Sequence, residues 1–345
     1  MSGVTIRGEG MDKSVLSFQG QVQGAEGLLV NASDFTIEDL AIEDAAGDGL
    51  KINEGSNVVI RRVRTEWTNG PDEDNGAYGI YPVQIENVLL EECVAIAASD
   101  AGIYVGQSRN VIVRNNRAEY NVAGFEIENT INADVYGNIA TNNTGGILVF
   151  NMPDLPQEGH STRVYQNQVT SNNTDNFGAE GTPVASVPAG SGIVINSNDK
   201  VEIFDNDIAD NNTANIIISS YYSTGYQGTR EALEYYDPYP ETIYIYGNRF
   251  SGGGTSPDGI ELKALKVAMF GLTGSFPDVL WDGFVNSEKT DANGHLTPEY
   301  AICVDNGDAG ILNADLGNDS DNITTDPTQH QCQHEKIAPV SLGLN

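Results

Sequence analysis

The chain has 345 residues, 39% of them hydrophobic, enough apolar material for a continuous core. Its 17 Lys and Arg stand against 49 Asp and Glu, a net charge of −32, and such a field repels nucleic acid and anionic membranes. No run of about 18 apolar residues exists to span a membrane, and three cysteines are too few for a disulfide scaffold.

The opening GVTIRGEGMDKSVLSF reads as a structural repeat already under way. An export signal is not visible in it, so an upstream signal and one further coil are expected outside this sequence, with a cytoplasmic protein as the alternative. From there a phrase recurs in chain order, a Gly followed by alternating apolar residues. It is GLLV at Gly27, GLKI at Gly49, GIYP at Gly79, GIYV at Gly102, GFEI at Gly124, GILV at Gly146, GIVI at Gly192 and GIEL at Gly259, with Asn215 of ANIII in the same slot. The steps are 22, 30, 23, 22, 22, 46, 23 and 44 residues, one coil of about 22 with loop insertions where the step is longer. A second phrase follows the first, and its last position reads Leu40, Val63, Cys93, Asn116, Asn138, Asn167, Asn206 and Asn248. The five Asn predict a ladder of side-chain amides bonding the turns above and below. A second polar line is expected at Asn121, Asn143, Asn173 and Asn212, so the Asn-x-Thr tripeptides at Asn142, Asn172 and Asn211 read as turn chemistry rather than glycosylation sites.

Short strands and turns repeated in register specify an all-β fold, a single-stranded right-handed parallel β-helix over residues 1–264, closed by an irregular C-terminal cap over 265–345. Alternation assigns the faces. Leu50, Ile80, Ile103, Phe125, Ile147, Ile193, Ile216 and Ile260 point inward. The outward column reads Lys51, Tyr81, Tyr104, Glu126, Leu148, Val194, Ile217 and Glu261, and the next one Asn53, Val83, Gly106, Glu128, Phe150, Asn196, Ser219 and Lys263.

These Gly-Ile-x-Val and Asn-turn coils resemble the parallel β-helix repeats of the pectin-lyase-like superfamily. That group holds polysaccharide lyases, hydrolases and epimerases, and exported accessory proteins such as the periplasmic factor for copper-site maturation of nitrous oxide reductase. The opening, with GLLVNASDFTIEDLAIEDAAGDGLKI, is similar to a narrower group of exported bacterial β-helix proteins of unassigned activity, whose genes tend to lie beside those of c-type cytochrome-like exported partners. The resemblance implies a periplasmic or secreted protein that meets polysaccharide or an exported partner protein. It specifies the scaffold and not the chemistry.

A β-helix site would be a groove on one sheet walled by the insertions at 68–78, 151–161, 174–190 and 220–241. Lys51, Tyr81, Tyr104 and Glu126 stack on the outward face, with Glu128, Gln84, Gln107 and Asn129 beside them. Glu126 with Tyr104 or Lys51 would suit β-elimination or epimerisation, and Glu126 with Glu128 would suit glycoside hydrolysis. Tyr81, Gln84, Gln107 and Asn129 are the expected substrate contacts. So are Tyr221 and Tyr222, from a loop that also carries Tyr226, Tyr235, Tyr236 and Tyr239 and that could instead pack as its own small core.

The enzyme families' paired-Asp phrases and Arg-rich strand are missing; Arg61, Arg62 and Arg64 form the one dense basic cluster. His330 and His334 flank Cys332 in a run that could ligate copper or zinc or be a plain tail, while Cys303 and Cys332 could pair in an oxidising compartment. The sequence requires no cofactor. Calcium is the metal its charge suits, with Asp305 and Asp308 of DNGDAGILNADLGNDSD and the PDEDN segment (Asp72, Glu73, Asp74) as candidate oxygen clusters, neither in a twelve-residue loop pattern.

Overall fold

The structure, a computed structural model, describes residues 2–224 and 235–344. Each coil lays short strands on three faces, and the strands of successive coils pair in parallel. On the face carrying the Gly phrase the inward column is Leu50, Ile80, Ile103, Phe125, Ile147, Ile193 and Ile216. All seven are fully buried. The alternation of the sequence is therefore the alternation of the sheet.

The column does not pass to Ile260. GIEL opens an α-helix, Ile260–Phe270, and Ile260 lies 81% exposed. Leu, Lys, Ala and Met dominate IELKALKVAMF, and these residues lose little side-chain freedom in a helix. Local propensity wins over the resemblance to the repeat. Glu261 and Lys263 accordingly belong to this helix and not to the sheet columns. The strand slot is taken by Val279–Trp281 and then Ile311–Asn313, so the register runs past residue 264, while Ile302–Asp305 extends a second face.

The predicted amide ladder is present. Asn116, Asn138, Asn167, Asn206 and Asn248 each pass a side-chain amide to the next at 2.9–3.1 Å, the last of them to Asn306. Each also donates to a buried strand carbonyl, as Asn138 does to Val113 and Asn167 to Val135. The second line is Asn121, Asn143, Asn172 and Asn211, a correction of one residue at its last two members. In the Asn172–Asn173 and Asn211–Asn212 doublets the first side chain turns inward, and Asn173 and Asn212 stay at the surface bonding to each other's coil.

A second face carries a column of alternating charge, Arg7, Glu38, Arg61, Glu91 and Arg114. Arg61 and Arg114 both pair with Glu91, Arg62 with Asp39 and Arg64 with Glu43. The basic cluster is thus neutralised within the scaffold. The same column continues as stacked rings, Tyr136, Tyr165, Phe204 and Tyr246, with centroids 4.7–4.9 Å apart.

The C-terminal segment is pinned by a disulfide between Cys303 and Cys332. His330 and His334 bond to the backbone carbonyls of Ile302 and Ala301, so these rings brace the tail instead of converging on a metal. Beyond them the Ile337 and Val340 amides donate to Glu202 and Asp134, laying the tail along the solenoid. No described helix is long and apolar enough to cross a membrane.

Candidate functional site

The outward column of the Gly-phrase face runs Leu29, Lys51, Tyr81, Tyr104, Glu126, Leu148, Val194 and Ile217. It is not the open groove that alternation alone predicts. Leu29 is 58% exposed and Lys51 and Tyr81 are half-buried, but Tyr104 and Glu126 are 3% and 2% exposed. Met152 and Leu155 from one insertion, Phe177, Val184 and Val187 from the next, and Tyr221 and Tyr236 from the Tyr-rich loop pack onto the column as a second apolar core. The insertions roof the sheet rather than wall it. Leu148, Val194 and Ile217 require this, because three stacked apolar side chains facing water would forgo their burial free energy.

At the roof's edge, between the open and the covered coils, lies a cluster of acids and phenols. Glu126 and Glu128 come from the strand Ala123–Glu128. Asp100 comes from the turn before the strand Ala101–Gly106, in the slot that Val122 and Thr144 occupy in the following coils. The Tyr104 hydroxyl donates to the Glu128 carboxylate, and the Gln107 amide donates to the Tyr104 oxygen at 3.0 Å and to Glu128 at 3.3 Å. Gly106 makes this possible: a Cβ there would overlap the Tyr104 ring, which lies across the glycine to reach Glu128. The rings of Tyr78, Tyr81 and Tyr104 meet with centroids 4.6–4.8 Å apart. Lys51 places its ammonium 4.6 Å from the Tyr81 centroid and 3.6 Å from the Asp48 carboxylate.

The electrostatics follow from burial without a cation. Burial, reinforced by the charge of Glu128, pushes the Asp100 carboxyl up to about 8. Burial, then Asp100 and Glu128, hold Glu126 well above the carboxylate range, and the two carboxyls share a hydrogen bond. Burial also raises Glu128, against the stabilising bonds from Tyr104 and Gln107. The Tyr104 phenol is pushed far above its usual range by burial and Glu128, and Tyr81 rises to about 12 through burial and Asp48. One oxygen each of Asp100 and Glu126 has no protein partner among the described residues. The result is a proton-retaining carboxyl pair beside a half-buried carboxylate that a phenol and an amide hold in place.

The predicted residues distribute unevenly around this cluster. Lys51, Tyr81, Tyr104, Gln107, Glu126 and Glu128 are brought together, and Gln84 stands exposed near the open rim. Asn129 is instead buried. Its amide donates to the carbonyls of Met152 and Gln157 and so fastens the roof. Tyr221 lies under the roof 5.7 Å from Tyr236, whereas Tyr222 is 46% exposed and lines a separate cavity. Tyr226 falls outside the described residues. Asp100 and Tyr78 escaped sequence reasoning, although an acid in a slot otherwise held by Val122 and Thr144 was the available signal.

Asp305 and Asp308 border one surface depression, where Asp305 accepts a 2.6 Å bond from Gln333. The described acids that gather within 4.8 Å of one another are Asp199, Asp237 and Glu241. The Lys289 ammonium pairs with both Asp237 and Glu241, so a side chain supplies the cation there.

A family model described as a right handed beta helix region matches residues 3–155. No curated protein matches the sequence. Among solved structures the chain is similar to the A-module of the mannuronan C-5 epimerase AlgE4 of Azotobacter vinelandii, at 17% identity over 81% of this chain and 78% of that one, with a TM-score of 0.49. It is also similar to the periplasmic alginate epimerase AlgG, at 14% identity over 72% and 57% with a TM-score of 0.48. The Dettilon tailspike protein is similar at 11% identity over 71% and 59%, with a TM-score of 0.33. Likeness at this level assigns no chemistry. The chain is a right-handed parallel β-helix.

Proposed function

We propose that this is an exported protein that binds polysaccharide on the open coils and acts on it by acid–base chemistry at the edge of the roof. The carrying observation is the pairing of Glu128, a half-buried acceptor, with the Asp100–Glu126 carboxyls that keep protons into the neutral range. Glu126 and Glu128 stand two residues apart on the same side of one strand, and paired-carboxylate chemistry on a glycosidic bond uses two such neighbouring carboxyls. Tyr81 and Lys51 offer a ring face and a cation to the sugar on the open side. The Cys303–Cys332 bond fits an oxidising compartment.

The burial of Tyr104 and Glu126 supports a second reading, a non-catalytic exported module that docks a partner on the same face. A panel of neutral and uronate polysaccharides separates the two. Unsaturated ends, new reducing ends or inverted C-5 centres in the product report lyase, hydrolase or epimerase chemistry respectively. Glu128→Gln then lowers turnover about 100-fold or more, and Tyr104→Phe lowers it without loss of fold. No product and no retention on polysaccharide affinity gels would remove the enzymatic reading, and a partner that co-purifies from the source would establish the second.

A further inference from the structure

The geometry points to a second carbohydrate site at the C-terminal end of the solenoid, one that takes a neutral oligosaccharide and is independent of the acid cluster. A cavity of about 650 Å³ opens there, within the size range of ligand pockets. Its aromatic wall comes from three parts of the chain: Tyr222 and Tyr239 from either end of the Tyr-rich insertion, Phe284 from the turn after the strand Val279–Trp281, and Trp281 itself. The Tyr222 ring lies 5.4 Å from Phe284 and 5.6 Å from Tyr239, and it is nearly half exposed. The buried Asp282 carboxylate fixes this wall by accepting the Ser220 amide at 2.6 Å and the Phe284 amide at 3.1 Å, which ties the base of the Tyr loop to the Phe turn. Held aromatic faces left partly open to water are what the C–H face of a sugar ring needs.

The facing wall is made of amides and one carboxylate. Gln329 donates to His295 Nε2 at 2.7 Å, and Asn322 donates to the Asp315 carboxylate from both its backbone and its side chain, at 2.9 and 3.2 Å. Planar amides both donate and accept, and a carboxylate accepts from adjacent hydroxyls, so together they match a vicinal diol. Among the described residues Asp315 is the one acid in the lining, and no Lys or Arg accompanies it. With a net charge of −32 behind it, the site disfavours uronates, sulfates and phosphates and favours an uncharged sugar.

The full chain is titrated with maltohexaose, cellohexaose, mannohexaose and, as the charged comparison, trigalacturonate, following tryptophan fluorescence and calorimetric heat. At least one neutral hexasaccharide is expected to bind saturably, and trigalacturonate to bind more weakly than it. Tyr222→Ala and Phe284→Ala should each weaken binding about tenfold, while Glu128→Gln leaves it unchanged. The last arm keeps this site's failure distinct from that of the acid cluster, because the strand of Glu128 lies four coils from Val279–Trp281 along the same face. Absence of binding by all three neutral sugars, binding that survives both aromatic truncations, or trigalacturonate binding as tightly as the neutral sugars would each overturn the proposal.

Discussion

Replacing Asn167 by Ala tests whether the amide ladder holds the coils together or merely fills their corner. The Asn167 side chain donates to the Val135 carbonyl at 2.9 Å and to Asn206 Oδ1 at 3.0 Å, and accepts from the Asn138 backbone and side-chain amides at 2.9 and 3.0 Å. Truncation strands the Val135 carbonyl and the Asn138 N–H in a buried site. Each stranded group costs about 1–3 kcal/mol, and the lost amide volume adds a small cavity cost, so the expected loss is roughly 3–6 kcal/mol. Upstream coils carry Leu40, Val63 and Cys93 in the same slot, all buried, so the corner accepts an apolar side chain sterically. Asn167→Leu refills the space without restoring a single hydrogen bond and should cost nearly as much as Asn167→Ala. Equilibrium denaturation followed by circular dichroism reads both, as a shift of midpoint at constant slope. A loss below about 1 kcal/mol for Ala, or recovery of most of the loss by Leu, would refute the hydrogen-bond account.

Asp100, free near 3.8, titrates near 8 when folded, so the stability tied to its protonated form is complete below pH 3.8 and is lost as pH rises through about 8. Asp100→Asn should therefore gain on the parent as pH climbs from about 5 to about 9, by at most on the order of 5 kcal/mol for a group this buried; equal slopes of melting temperature against pH would contradict it. Cys303→Ser opens a link between residues 29 apart in sequence, worth about 3–4 kcal/mol on the chain-entropy account. Limited proteolysis should then cut within the segment after Cys332 before it cuts the coils, and an unchanged digestion pattern would count against that anchor. Moving an acid along the outward column should expose the roof's edge: Tyr81→Glu, on the half-open side, is tolerated, whereas Leu148→Glu, fully buried, costs roughly 3–5 kcal/mol or fails to fold. Similar melting temperatures for the two variants would show that the roof excludes no water.

Much of the scaffold was legible because a solenoid repeats its physics. Every coil poses the same problem of an inward strand position and a buried turn, so the Gly phrase and the Asn positions recur, and two phrases in register fixed the inward column from Leu50 to Ile216. The failures came where local rules were ambiguous. Gly-Ile-Glu-Leu at 259–262 fits both the repeat and a helix start, and only the helix formers after it decide between them. Asn172–Asn173 and Asn211–Asn212 offer two candidates per turn, and chain geometry chooses the first. Alternation alone turns the outward column toward solvent, because it tells which way a side chain points and not what lies over it. Leu148, Val194 and Ile217 already asked for a cover that the insertions supply.

That cover is also what gives the candidate site its chemistry. A repeating column offers the same surroundings to each residue in turn, so a carboxyl can acquire unusual acidity only where the surroundings change. They change once along this face, between Tyr81 and Leu148. On the open side the acid present, Asp48, has Lys51 3.6 Å away to offset its burial. On the covered side an acid would sit sealed among Met152, Val187 and Val194. Tyr104 and Glu126 occupy the interval, and Asp100 enters it from the adjoining turn. There desolvation raises both carboxyls while Glu128 and Tyr81 stay partly open. The identity of these residues and the length of the roofing loops are therefore two halves of one device. Shortening the 174–190 loop should lower the pKa of Asp100 and Glu126 back toward that of ordinary carboxylates.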